Sequence, residues 1–164
     1  MENKAKTVED FFGPVISSYT RADALADGML VDVSELAREA GFVIPVAVTA
    51  SVWDECIDWP EESEQGFGQS IDGRLWDVLF MAHWKIKECT WLEKEETECS
   101  EVCLIRTGYM DLEYQLNVIP KDTKAETITE IDDFTGAKLT TLKINIGPGD
   151  NAEPVITIMQ TYED

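Results

Sequence analysis

Carboxylates supply most of the side chains here that could do chemistry. Asp54, Glu55, Asp58, Glu61, Glu62 and Glu64 succeed one another with no Lys or Arg between them, and Glu93, Glu95, Glu96, Glu98 and Glu101 form a second run in which Lys94 is the one basic residue. Clustered carboxylates can hold a hard cation, exchange protons in catalysis, or attract a basic partner. Calcium takes roughly six to eight oxygen ligands, and Asp54-Glu55-Cys56-Ile57-Asp58 lacks both the alternating ligands and the central glycine of a calcium loop. No metal site is expected there. Should the two runs converge on one face, they would imitate the phosphate array of a duplex, which carries a charge about every 1.7 Å of axis. The competing reading is a solvated surface that keeps the protein soluble. Trp59 and Phe67, set within and just beyond the first run, are the apolar anchors expected for a partner.

The nitrogen and sulfur groups say less. His83 is the single histidine, and helical spacing places it on the side of Trp76, Leu79 and Phe80, where a packed histidine is the plain reading. A general base needs a nucleophile or water within hydrogen-bond reach, and the sequence identifies none. His83, Cys89, Cys99 and Cys103 could be assembled on paper into a zinc site, but the paired Cys-x-x-Cys knuckles are absent, so buried thiols are expected. Arg74 and Asp77 have the spacing of an ordinary surface ion pair. Gly147-Pro148-Gly149-Asp150 has no following helix and no Lys-Ser/Thr pair, so it reads as a hairpin connection rather than a phosphate loop. No catalytic residue, metal or cofactor is assigned.

The elements that must position these groups belong to an acidic but folded chain. Thirty-three Asp and Glu stand against 13 Lys and Arg among 164 residues, a net charge of -20, densest between residues 51 and 100. That sign disfavours nucleic acid and anionic membranes and favours basic proteins. Five Trp, six Phe, four Tyr and 44% hydrophobic residues supply the apolar surface that disordered chains lack. The polar N-terminus resembles no signal peptide and no stretch is apolar for long enough to span a bilayer, so a cytoplasmic protein with free thiols is expected.

Residues 1–14 read as a flexible arm and 15–164 as a single α+β domain. Thr20 is placed to cap a helix from Arg21 to Asp27, and Ser34 a second helix to Ala40. Phe42 to Thr49 contains Pro45 and reads as an edge strand. Thr49 caps a helical turn carrying Val52, Trp53 and Cys56. From about 70 to 92, Ile71, Leu75, Val78, Leu79, Ala82 and Ile86 predict one long helix, the central element of the core. Trp76, Phe80 and Trp84 form a second apolar stripe, so cover on more than one side is expected. The period then changes to two: 101–107, 112–118, 142–146 and 155–162 predict about four strands of an antiparallel sheet, with turns at Thr107-Gly108 and Gly147 to Asp150. The fold expected is N-terminal helices, including the long one, packed on a C-terminal antiparallel sheet.

Three stretches carry a resemblance. Val15-Ile16-Ser17-Ser18-Tyr19-Thr20-Arg21-Ala22 with Asp27-Gly28-Met29-Leu30-Val31-Asp32-Val33-Ser34 is the first, and Gly73-Arg74-Leu75-Trp76-Asp77-Val78-Leu79 the second. Gly147-Pro148-Gly149-Asp150 with Glu153-Pro154-Val155-Ile156-Thr157-Ile158-Met159 is the third. Together they resemble an uncharacterised domain family of plasmid, phage and other mobile-element proteins. The resemblance brings no catalytic residues. It implies a context, since accessory proteins of mobile elements often act against host restriction or CRISPR systems, and several such inhibitors are acidic DNA mimics.

The expected function is therefore that of a non-enzymatic accessory protein whose two acidic runs bind a basic protein, such as a nucleic-acid-binding protein of host defence. Two alternatives stand beside it. One is a small nucleic-acid-acting enzyme of ribonuclease-like, helices-then-sheet build, with His83 and Arg74 or Arg106 in its site. The other is a structural or accessory protein whose charge serves solubility alone. A pocket in which His83 and a basic residue converge would favour the enzyme; a convex acidic face would favour the mimic.

Overall fold

A computed structural model describes residues 19–60, 68–96, 110–122 and 136–163. The N-terminal half opens with helix α1 (Arg21–Ala26), strand β1 (Leu30–Asp32), helix α2 (Ser34–Glu39) and strand β2 (Val46–Thr49). A helical turn α3 (Ala50–Val52) runs into a π turn at Trp53–Ile57. Helix α4 (Ile71–Glu96) follows, then strands β3 (Met110–Val118), β4 (Lys138–Pro148) and β5 (Pro154–Gln160). The arm expected at 1–14 and the strand and turn expected at 101–108 lie outside the described residues.

The fold is α+β, as expected, with two corrections. The long helix lies in the middle of the chain rather than among N-terminal helices, and the sheet has five strands and is mixed. Its order is β1-β2-β5-β4-β3. Every neighbouring pair is antiparallel except β2 and β5, where Val46, Ala47 and Val48 align in parallel with Ile156, Thr157 and Ile158. Pro45 predicts an edge for β2, yet β2 is interior, with Val46, Ala47 and Val48 each at most 1% exposed. The reason is position. Pro45 sits one residue before the strand, where no N–H is asked of it, and its carbonyl accepts from Ile156 N at 2.9 Å.

One sheet face makes the core. Tyr114, Leu116, Leu142, Ile144, Ile156 and Ile158, alternate residues of β3, β4 and β5, meet Leu75, Val78, Leu79 and Ala82 of α4 in one cluster. Each large side chain fully buried there contributes about 2 kcal/mol. Tyr114 keeps its hydroxyl satisfied by donating to Val78 O at 3.1 Å, which pins α4 to β3. The outward residues Asp111, Glu113, Gln115 and Asn117 of β3 are exposed, the polar face that the alternation predicts.

Helix ends are fixed partly by near neighbours and partly across the chain. Thr20 caps α1 as predicted, accepting from Asp23 N at 3.1 Å while Asp23 returns a bond to Thr20 N at 3.0 Å. The remaining N–H groups of that first turn reach Asp150, with Arg21 N donating to Oδ1 at 2.8 Å and Ala22 N to Oδ2 at 2.9 Å. The Arg21 guanidinium crosses to Thr157 Oγ1 and Ile156 O at 2.8 and 3.2 Å. Ser34 differs from its predicted role. Val33 occupies the cap position, while the Ser34 hydroxyl donates to the Asp32 carboxylate and accepts from Val46 N at 3.1 Å. The β4–β5 turn is the expected hairpin, closed by Gly149 N donating to Glu153 O at 2.6 Å. Among the described residues, no helix is long and apolar enough to cross a membrane.

Candidate functional site

A helix of this length presents several faces, and on α4 the outward one is not polar. Positions 72, 76, 80, 84 and 88 recur every four residues and fall on one stripe. Asp72 and Glu88 end it, and between them Trp76, Phe80 and Trp84 are 37%, 49% and 62% exposed. The expectation that this second stripe is buried is corrected: its centre lies roughly 150° around the helix from the line of Leu75, Val78, Leu79 and Ala82 at 100° per residue. One helix cannot bury both on the same sheet. Exposed Asp77 flanks the stripe, and Lys85 pairs with Glu88 at 2.9 Å. Three aligned aromatic side chains on the surface of a protein this acidic form the kind of patch that marks an interaction site.

The first acidic run is only partly free. The π turn carries Asp54 and Glu55 outward. Lys121, from beyond β3, reaches both Asp54 and, at 3.0 Å, Asp58, and these bonds raise the pKa of its ammonium, the one to Asp54 most. Glu55 accepts from Tyr162 Oη at 3.0 Å and from Gln160 Nε2 at 3.1 Å. A run without a basic residue in sequence thus acquires one in space. Asp54 and Glu55 also line a cleft of about 380 Å³ that contains both Lys121 and Lys138. Trp59 is corrected as an anchor: it is 6% exposed and lies beneath the Arg74 guanidinium, 4.8 Å from ring centroid to Cζ. Glu61, Glu62, Glu64, Phe67, Glu98 and Glu101 lie outside the described residues. Glu93, Glu95 and Glu96 are in the last turns of α4, their side chains likewise outside what is described.

Arg74 is not the surface partner of Asp77 that its spacing predicts. It is 4% exposed, with Nε donating to Cys56 O at 3.0 Å and Nη1 to Ile119 O at 2.9 Å. Burial lowers its pKa, against the pull of nearby Cys56, Asp58 and Asp77. His83 stands more than two turns further along α4 and packs on Phe42, with ring centroids 5.2 Å apart. It also lies so close to Gly41 that a Cβ there would come within 2.5 Å of its Cε1. His83 is thus a packing residue, as its spacing predicts, and it lines neither described cleft. Arg106 lies outside the described residues. Cys56 is buried and Cys89 half-buried. Cys99 and Cys103 lie outside the described residues, among which no three His, Cys, Asp or Glu side chains cluster as metal ligands do.

The sequence points to the aromatic stripe by its spacing, but residue type, read as a demand for burial, hides it. Residues 8–89, half of the chain, match the model of a family described as a family of unknown function (DUF6573). That span holds the first two of the three resembling stretches, and the third lies beyond it. No curated protein and no solved structure matches the chain.

Proposed function

The chain belongs to this family of unknown function, and we propose that it is a non-enzymatic acidic accessory protein that docks a basic protein partner through the outward face of α4. The observation that carries this reading is the exposure of Trp76, Phe80 and Trp84 in a chain of net charge -20. Exposed Trp and Phe supply the desolvated contact area in which binding energy concentrates. Their ring faces attract Arg and Lys, and the surrounding excess of carboxylates steers a cationic partner toward them. The resemblance to mobile-element proteins supports a nucleic-acid-binding protein of host defence as that partner, its basic channel the complementary surface. Inhibition by DNA mimicry is the finer form of this proposal, in which carboxylates around the stripe stand in for phosphates.

The test is a pull-down from host lysate at low and high salt, followed by affinity measurement on the captured protein. A basic protein should be retained at low salt and released as the Debye length falls from about 10 Å at 0.1 M to about 3 Å at 1 M. Trp84→Ser and Phe80→Ser should each weaken binding about tenfold or more, the cost of a central aromatic contact. Both are surface changes that should leave stability within about 0.5 kcal/mol. The triple variant Asp54→Asn, Glu55→Gln, Asp58→Asn should have a smaller effect, because these carboxylates are already held by Lys121, Tyr162 and Gln160. The reverse ranking would move the interface to the first acidic run, and indifference to both sets would sink the reading.

A further inference from the structure

The first turn of α4 drives a charged side chain into the protein and leaves part of it unused. Nε and Nη1 of Arg74 are held by two backbone carbonyls, and Trp59 stacks on the guanidinium. Nη2 is buried with no hydrogen-bond partner among the described residues. The described residues bring no carboxylate within ion-pair distance of it. A buried guanidinium N–H with no acceptor in contact is costly, and a group so placed calls for an anion or an acceptor oxygen. Arg74 lines a cleft of about 260 Å³ whose other lining residues include the apolar Leu116, Val118 and Ala137, the amides Gln69 and Asn117, and Asp77.

We propose that this cleft is a binding site for a small organic monocarboxylate, whose oxygen accepts from Arg74 Nη2 while its apolar part lies on Leu116, Val118 and Ala137. The cleft has room for a compact organic acid. Singly charged ligands are favoured over phosphate dianions, because Asp77 lines the cleft and the whole chain is negative. Nη2 is almost wholly shielded from solvent, so the ligand reaches it only as a side chain of the cleft wall moves. The site goes beyond the proposed partner-binding role and uses none of the stripe residues.

The experiment follows the Arg74 Nε–H resonance in ¹⁵N spectra of the full chain during titration with sodium benzoate, with sodium phosphate and sodium chloride as comparisons. Benzoate should shift the resonance saturably, with half-saturation in the low millimolar range and phosphate at least about tenfold weaker, the expected penalty for like charge beside Asp77. Ala137→Met, at a half-buried wall position, adds bulk to the cleft. It should abolish the benzoate shift while leaving the free resonance in place. Trp84→Ser should leave benzoate binding unchanged, so that the two proposals fail separately. No saturable shift with benzoate would mean that water alone serves Nη2 and would overturn the proposal. An equal shift with chloride or phosphate, or one that survives Ala137→Met, would overturn it as well.

Discussion

Cys56 shows how burial sets the chemistry of single groups in this protein. Cys56, within the π turn, is 3% exposed, and burial of its thiol, with the neighbouring Glu55 charge adding to it, pushes its pKa from 9.0 to about 11. It is therefore protonated at neutral pH and a poor nucleophile. Tyr114, buried with its hydroxyl on Val78 O, is shifted in the same direction by the same cause. For both, the folded state holds the proton more tightly than the unfolded chain does. The stability this represents is fully present below the unfolded pKa and is lost as pH rises through the folded one. For Cys56 the loss begins near pH 9 and continues to about 11. Thermal midpoints should accordingly be level from about pH 7 to 8.5 and fall above that. Cys56→Ala should flatten the first part of the fall, and Tyr114→Phe the later part. An undiminished alkaline slope in Cys56→Ala would assign it to other groups. Arg74 is the opposite case, a charge kept inside by carbonyls and an indole ring rather than by a carboxylate.

The joint between α1 and the β4–β5 hairpin makes a sharper claim about how elements are held. Asp150 takes the Arg21 and Ala22 N–H groups at 2.8 and 2.9 Å, and Thr20 takes that of Asp23. Three donors that have no acceptor within a helix are thereby satisfied. Asp150→Ala should cost about 1–2 kcal/mol in urea unfolding, in the range of a lost cap, and should speed hydrogen exchange at Arg21 and Ala22. A loss below about 0.3 kcal/mol would show that water replaces the carboxylate without penalty. Two of the three resembling stretches meet at this joint, and the other delivers Arg74, so all three contribute structural contacts. The difference between Thr20 and Asp150 explains what could be read in advance. The Thr20 cap, the long α4, the β4–β5 hairpin and the alternation of β3 depend on residues within a few positions, and periodicity reports them. Asp150 is separated from Arg21 by 129 positions, and nothing local signals that contact. The interior place of β2 depends on which strand lies beside it, which Pro45 does not determine. Arg74 and Trp59 look like surface residues until Ile119 and Cys56 are brought around them. The candidate stripe was legible in angle but not in kind, because aromatic residues at helical spacing read as core wherever a second layer is assumed.

Across the whole molecule, the charge is a cost to the fold as well as a lead to function. A net -20 on 164 residues repels itself in the compact state more than in the expanded one. The ion pairs at Lys85 and Lys121 are exposed, and such pairs are worth little. Added salt weakens both effects, and the repulsion, summed over many more carboxylates than are paired, should dominate. Sodium chloride raised from about 0.02 to 0.5 M should therefore increase the melting temperature by about 2–6 °C, which for a chain of this size corresponds to ~1–1.5 kcal/mol. A falling melting temperature would mean that local pairs hold the fold and that the negative surface is better compensated than its composition implies. The same salt range should release a basic partner from α4, so stability and binding should move in opposite directions. That opposition separates steering by charge from charge that serves solubility alone: in the latter case salt raises stability and no salt-sensitive complex exists for it to dissolve. Trp84→Ser sharpens the distinction, since it leaves the charge untouched. The salt response of melting should persist in that variant while the complex weakens, and a coupled loss of both would tie the aromatic stripe to the fold rather than to a partner.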